Sequence, residues 1–228
     1  MKAAYLKAKN QFEIREVEVR EPEAGEVLVG VKACGFCGHD KILAGYAGEE
    51  WQPFGHEFAG VVEKVGHGVK NVKVGDRVVV ETSIFDPVSD YARNGRPELD
   101  TKGPNYMTME HTGMGFSEKT IVPAILCVPF SDLEDREACF LEPMGVAADL
   151  ILTADIHLGQ DVLLMGCGAI GLMALQMAKA SGVRNIYVAE HKANQKKIEL
   201  AKQFGATDVI LTDEMELTDY PFPRGGVD

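Results

Sequence analysis

A chain of 228 residues with 46% hydrophobic and 25% charged residues can bury one large core or two modest ones, and it is not a disordered chain. Its formal charge of −12 would be repelled by a phosphate backbone, which argues against nucleic acid as a partner. No apolar run approaches the ~18 residues needed to span a bilayer, "MKAAYLKAKNQF" lacks the apolar centre of a secretory signal, and five scattered cysteines make no paired framework, so no membrane partner and a cytoplasmic location with free or metal-bound thiols are expected.

The first ~145 residues read mostly as β structure. "GEVLVGVKACG" puts Val27, Val29 and Val31 on one face and Leu28, Gly30 and Lys32 on the other. "FAGVVEKVG" and "GDRVVVE" are two more short strands, separated by the turn-rich "GHGVKNVKVGD". Strands this short and this closely spaced predict a compact β domain with barrel-like closure. Between the first two, "ACGFCGHDKILAG" carries Cys34 and Cys37, then His39 and Asp40. The C-x-x-C spacing alone fits a disulfide, a redox pair, a metal site or packed core.

From Glu137 the texture changes. "EACFLEPMGVAADLILTA" predicts a well-buried helix, with Pro143 early enough to mark a kink or a second helix start. "DVLLMG" is then a buried strand, "AIGLMALQMAKASG" a helix, "NIYVAE" a strand, "NQKKIELAKQFG" a helix and "DVILT" a third strand. Strand–helix–strand–helix–strand with short connections is half of a doubly wound parallel sheet. The change of texture sets the domains at residues 1–148 and 149–228.

"GCGAIG" supplies Gly166, Gly168 and Gly171 at G-x-G-x-x-G spacing, after an apolar strand and at the start of a helix. Gly166 permits the turn, Gly168 lets backbone approach a pyrophosphate, and Gly171 permits close helix–strand packing. Ala169 and Ile170 complete the phosphate-facing helix start, where free N–H groups favour an anion. Glu190 ends the next strand, 19 residues after Gly171, where a carboxylate binds the ribose hydroxyls of NAD and repels a 2′-phosphate. Lys192, two residues on, is placed to soften that repulsion.

Two further polar clusters stand out: Gly55, His56 and Glu57 in "PFGHEFAGVV", and Glu142 among apolar residues in "CFLEPMGVAADL". A lone ionised carboxylate in apolar surroundings is costly. Thiolate, imidazole and carboxylates from three separate segments make a donor set suited to catalytic zinc. "CGFCGHD", "GHEFAGVV", "GDRV", "EPMGVAA" and "GCGAIG", in this order, resemble the zinc-dependent medium-chain alcohol/polyol dehydrogenase family, in its sorbitol/sugar/threonine dehydrogenase-like branch.

The resemblance covers essentially the whole chain. It implies an α/β protein with an N-terminal GroES-like β-barrel catalytic domain and a partial Rossmann sheet. It implies Cys37 and His56 as zinc ligands, Glu142 as the carboxylate near zinc, and Glu57 as a direct or intermittent ligand. Asp40 matches the acid that orients the ligand histidine. His39 stands where the family commonly has Ser or Thr to pass the substrate proton outward; an imidazole can shuttle a proton, and its bulk would also narrow the pocket. Cys34, Cys127, Cys139 and Cys167 read as small buried hydrophobes. His67, His111, His157 and His191 read as structural or solvent-facing.

The chain departs from the family pattern twice. Many members carry four close cysteines holding a structural zinc, but there is no cysteine from Glu81 to Leu126. One catalytic zinc and no structural zinc are therefore expected. The Pro-, Gly- and charge-rich replacement reads as a long loop between the metal segments, positioned to cover the substrate cleft. "FSEKTIVPA" then resembles the family's return strand. The chain also stops after three Rossmann strands, at "YPFPRGGVD", where "GGVD" reads as the lead-in to a fourth. That reads as C-terminal truncation, leaving the fragment inactive by itself.

The implied reaction is hydride transfer between a secondary alcohol (a polyol, sugar or similar) and NAD, in an enzyme that is a homo-oligomer at full length. Three rival readings stand beside it. One is a zinc-free NADPH quinone reductase, a branch that lacks Cys37, His56 and Glu142. Another is a non-catalytic nucleotide-binding module. The third is a thiol oxidoreductase, which would need Cys34 as much as Cys37.

Overall fold

Alternation of apolar and polar residues builds the first half from short antiparallel strands. The computed structural model describes residues 1–228. The strands are β1 (Lys2–Lys7), β2 (Gln11–Glu16), β3 (Glu26–Cys34), β4 (Gln52–Pro53), β5 (Phe58–Val65), β6 (Arg77–Val80), β7 (Lys119–Pro123) and β8 (Cys127–Pro129). They form a three-stranded sheet in the order β2-β1-β4 and a five-stranded sheet in the order β7-β3-β5-β6-β8. Residues 116–118 link the two sheets: Ala4 donates to Phe116 O at 2.9 Å, Glu118 to Lys2 O at 3.0 Å, and Val31 to Glu118 O at 3.0 Å.

The hairpin β1–β2 lies outside the strands predicted from the sequence. Its signal is the Phe12/Ile14 alternation after Asn10, which takes a positive φ of 54° at the turn. Phe12 and Ile14 point outward and are exposed, so this alternation does not mark a core face. In β3 the expected inward Val27 and Val29 are fully buried, but Leu28 on the opposite face is buried as well. The strand is covered on both sides over its first half.

The core of this half gathers Val27, Val29, Phe58, Val62, Val78, Val80, Val122 and Leu126. Tyr106 joins them with no exposed surface, and its hydroxyl lies 3.0 Å from Thr120 Oγ1. The Pro- and Gly-rich segment after β6 is therefore tied into the core rather than free. It also forms a short helix, α2 (Asp90–Arg93), capped by Ser89 Oγ accepting from Ala92 N–H at 3.2 Å. His111 packs tilted against Tyr106, with ring centroids 4.4 Å apart, and makes a 2.6 Å hydrogen bond to its carbonyl oxygen, a structural role.

The helix expected from Glu137 is two helices, α3 (Asp135–Ala138) and α4 (Leu141–Thr153). Pro143 falls in the first turn of α4, where its missing N–H costs nothing. The expectation of thorough burial is corrected. Only Pro143, Ala147 and Ile151 are buried, a single i, i+4, i+8 stripe, while Val146, Leu150 and Leu152 are exposed.

The chain divides into two compact units, Met1–Glu142 and Pro143–Asp228. The second unit holds strands β9 (Asp161–Met165), β10 (Asn185–Glu190) and β11 (Asp208–Leu211), parallel and in the order β11-β10-β9. Helices α5 (Ala169–Ala180) and α6 (Gln195–Phe204) connect them. Gly205 ends α6 in the left-handed conformation, φ 111°. The "GGVD" segment lies along β9: Asp228 donates to Asp161 O at 2.9 Å, and Asp161 N–H donates to Asp228 Oδ2 at 2.8 Å. No helix is long and apolar enough to cross a membrane.

Candidate metal centre and nucleotide turn

Three side chains from two segments converge in the first unit. A ligand atom from each of Cys37, His56 and Glu57 lies within 4.8 Å of the others. Cys37 ends the β3 connection and caps the first helix, α1 (Gly38–Ile42). Its sulfur accepts from His39 N–H at 3.4 Å, while Asp40 Oδ2 accepts Cys37 N–H at 3.0 Å. This reciprocal box holds the sulfur in one place. His56 is delivered by Gly55, whose φ of +96° favours glycine, and any side chain at Gly55 would strike Phe116 at 2.6 Å. Glu57 sits over Gly35, where a side chain would collide with its carboxylate, and the backbone bond from Gly35 N–H to Glu57 O is 2.7 Å. The glycines of "ACGFCGHD" and "GHEF" thus bring the two segments within contact.

Asp40 is 2% exposed and its Oδ1 faces His56 Nδ1 at 3.9 Å. Burial holds His56 below the usual imidazole range, with Asp40 opposing, which favours the neutral ring and its nitrogen lone pair. Burial also raises the Cys37 thiol, partly offset by the His39 N–H and reinforced by Glu57. Glu142 is not among the three converging residues. It is half-buried at the start of α4, and burial, then the charge of Glu57, pushes its pKa up to about 7. His39 is exposed, its ring 6.2 Å from that of His56. All five cysteines are free; Cys127, Cys139 and Cys167 are buried, and Cys34 is partly so.

A soft thiolate, a neutral imidazole and a carboxylate match zinc in donor type, and a three-residue protein set leaves room for an exchangeable fourth ligand. The fit rests on the donor set and its convergence.

In the second unit, Gly166 turns the chain with φ +93°, and Gly168 caps α5. A side chain at Gly171 would run into Gly166 O, so glycine is required there by packing. A side chain at Gly168 would meet no protein atom, and its φ is an ordinary −67°. Glycine at 168 is thus not demanded by the protein itself; a group approaching the turn would demand it. The first helical bond is Leu172 N–H to Gly168 O at 2.9 Å, which leaves the N–H groups of Ala169, Ile170 and Gly171 at the helix start for an anion. Replacing Gly171 by alanine is expected to destabilise the fold by about 1–3 kcal/mol through overpacking against rigid backbone, read by urea unfolding; an unchanged midpoint would show that the turn can shift.

Glu190 lies at the end of β10 and is 8% exposed. Its Oε1 accepts from His191 N–H at 2.8 Å and Asn194 Nδ2 at 2.9 Å, and its Oε2 from Cys167 N–H at 3.1 Å and the Cys167 thiol at 3.2 Å. Burial pushes this carboxyl up, but the His191, Cys167 and Asn194 donors outweigh it and hold its pKa at about 2. A ribose hydroxyl would have to share or displace one of these donors, and the weak thiol is the least costly to displace. This role of Cys167 was invisible in sequence. A depressed carboxyl stabilises the fold above its unfolded pKa, near the ordinary 4.5, and that contribution is lost as pH falls toward 2. Melting temperature is therefore expected to fall less steeply between those values in Glu190→Gln than in the parent chain. Lys192 does not stand free beside Glu190 as expected, since its ammonium is paired with Glu214.

Residues 23–132 match the alcohol dehydrogenase GroES-like domain, and residues 169–220 the zinc-binding dehydrogenase domain. The chain is 33% identical to the (R,R)-butanediol dehydrogenase of Bacillus subtilis, over 100% of this chain and 69% of that protein. An alcohol dehydrogenase (rspB) from Escherichia coli CFT073, solved with NADH, superposes with a TM-score of 0.85 at 32% identity, over 95% of this chain and 64% of the other. A putative zinc-binding dehydrogenase from Sinorhizobium meliloti, bound to NADP, gives 0.82 at 27% identity, over 96% and 64%. The chain thus spans about two thirds of the length of the relatives it matches. Matches on both sides of the unit boundary, and identity running through the whole chain, place it in the zinc-dependent medium-chain dehydrogenase family.

Proposed function

We propose that this chain supplies the zinc site and the first half of the NAD site of a dehydrogenase for secondary alcohols. The convergence of Cys37, His56 and Glu57 carries the reading. In it, Cys37 and His56 hold one zinc with Glu57, and Glu142 enters as a further or alternate carboxylate. Zinc in such a site supplies Lewis acidity that makes a bound hydroxyl easier to deprotonate. Asp40 orients His56 and, through the Cys37 N–H, the thiolate-bearing turn. His39, exposed beside the cluster, passes the hydroxyl proton to solvent. The turn Gly166–Gly171 binds pyrophosphate, and Glu190 binds ribose. The butanediol dehydrogenase among the relatives supports a secondary alcohol as the substrate class.

A zinc-free quinone reductase would leave three convergent metal-type donors without a purpose, which disfavours it. Metal analysis of the purified chain tests the proposal. About one zinc per chain is expected; a folded chain that takes up none would remove it.

A further inference from the structure

In a parallel sheet the carboxyl ends of neighbouring strands lie side by side, and ligands bind there. The turn after β11 therefore stands against the turn after β10. Thr212 N–H donates to Glu190 O at 3.0 Å, and Lys192 N–H donates to Asp213 Oδ1 at 3.0 Å. The Lys192 ammonium closes the arrangement by pairing with Glu214.

Resting on the dinucleotide reading above, we propose that Glu214 selects against a 2′-phosphate by holding Lys192 out of the ribose site, with Asp213 and Glu190 adding negative charge beside it. A 2′-phosphate needs a cation to receive it. Lys192 is two residues from the ribose acid and is the cation best placed by sequence, but both its main-chain N–H and its ammonium are taken by the acidic turn. A second cation near this edge is Lys197, in the first turn of α6, whose charge acts on the Cys167 thiol. The NADH-bound and NADP-bound relatives share this fold, so the fold alone does not choose the cofactor. The choice falls to side chains at this edge.

The Lys192–Glu214 pair is exposed, with side chains 61% and 47% accessible. Such a pair is weak and screened by salt, so Glu214 sets a preference rather than an absolute bar. Glu214 acts through Lys192 and is a positioning residue.

Calorimetry with ADP-ribose and 2′-phospho-ADP-ribose tests this on the 228-residue chain. The readout is the ratio of the two dissociation constants. The parent chain is expected to favour ADP-ribose. In Glu214→Gln the ratio is expected to narrow about fivefold at low salt and less at high salt. Adding Lys192→Ala to Glu214→Gln is expected to restore the ratio, which a merely structural role for Glu214 would not produce. An unchanged ratio in Glu214→Gln overturns the inference. A narrowed ratio that survives Lys192→Ala also overturns it and points to Lys197 as the receiving cation. A parent chain that binds ADP-ribose without discrimination sinks this inference alone, whereas one that binds neither ligand sinks the dinucleotide reading and this inference with it.

Discussion

Replacing Cys37 by serine is expected to lower zinc affinity by more than about a hundredfold, because loss of an outer-shell partner alone costs ~10–100-fold and Cys37 is a direct donor. His56→Ala should do the same, and Asp40→Asn should fall in the lower range. Cys34→Ser should leave zinc binding in place. The reason is geometric. The Cys37 sulfur belongs to the converging set, whereas the Cys34 sulfur packs behind it, close to Gly55 and Gly115. Burial above all pushes the Cys34 thiol far up, which makes it a poor thiolate donor. Competition against a chromophoric chelator reads the affinities, and far-UV circular dichroism confirms that each variant is folded. Equal zinc loss in Cys34→Ser and Cys37→Ser would contradict this assignment and revive the view of the C-x-x-C as a two-thiol centre.

Replacing Tyr106 by alanine is expected to cost about 3–5 kcal/mol, the range for deleting a fully buried aromatic side chain. Tyr106 packs on Phe58 at 5.5 Å and lies in the same core as Val62 and Val122. Its loss would also remove the hydroxyl that bonds the Thr120 hydroxyl oxygen, although Thr120 would keep its own bond to Gly113 O. The segment from Ser83 to His111 would lose its anchor, so faster proteolysis there should accompany the lower urea midpoint. Tyr106→Phe keeps the ring and should cost only about 1 kcal/mol. If the alanine variant unfolds within 1 kcal/mol of the parent, the segment is held by other contacts.

The parallel half was readable in sequence because its local signals agree. Apolar strands, glycine-terminated helices and the G-x-G-x-x-G spacing all indicate the same βαβαβ order, and Gly171 shows why the spacing must be kept. The antiparallel half was readable only in part. Period-two alternation located β3, β5 and β6, but the β1–β2 hairpin carries its large apolar residues outward. The long connection after β6 looked like a loop because Pro, Gly and charge dominate it. Tyr106, buried in the core with Ile84 packed against it, anchors the connection, and no local pattern distinguishes a buried tyrosine from an exposed one.

Residue type and order pointed to thiolate, imidazole and carboxylate groups as a metal-donor set, to the glycine spacing as a phosphate turn and to Glu190 as an acid at a strand end, because donor chemistry and backbone freedom are properties of individual residues; the resemblance to the family singled out Cys37, His56, Glu57 and Glu142 within that set. Only the folded chain decided that Cys37, His56 and Glu57 meet while Glu142 lies near Glu57 but outside the converging group, that Cys167 shares the Glu190 carboxylate, and that Glu214 takes Lys192. These depend on distances between segments far apart in the chain, which are set by strand pairing and core packing rather than by any local run of residues.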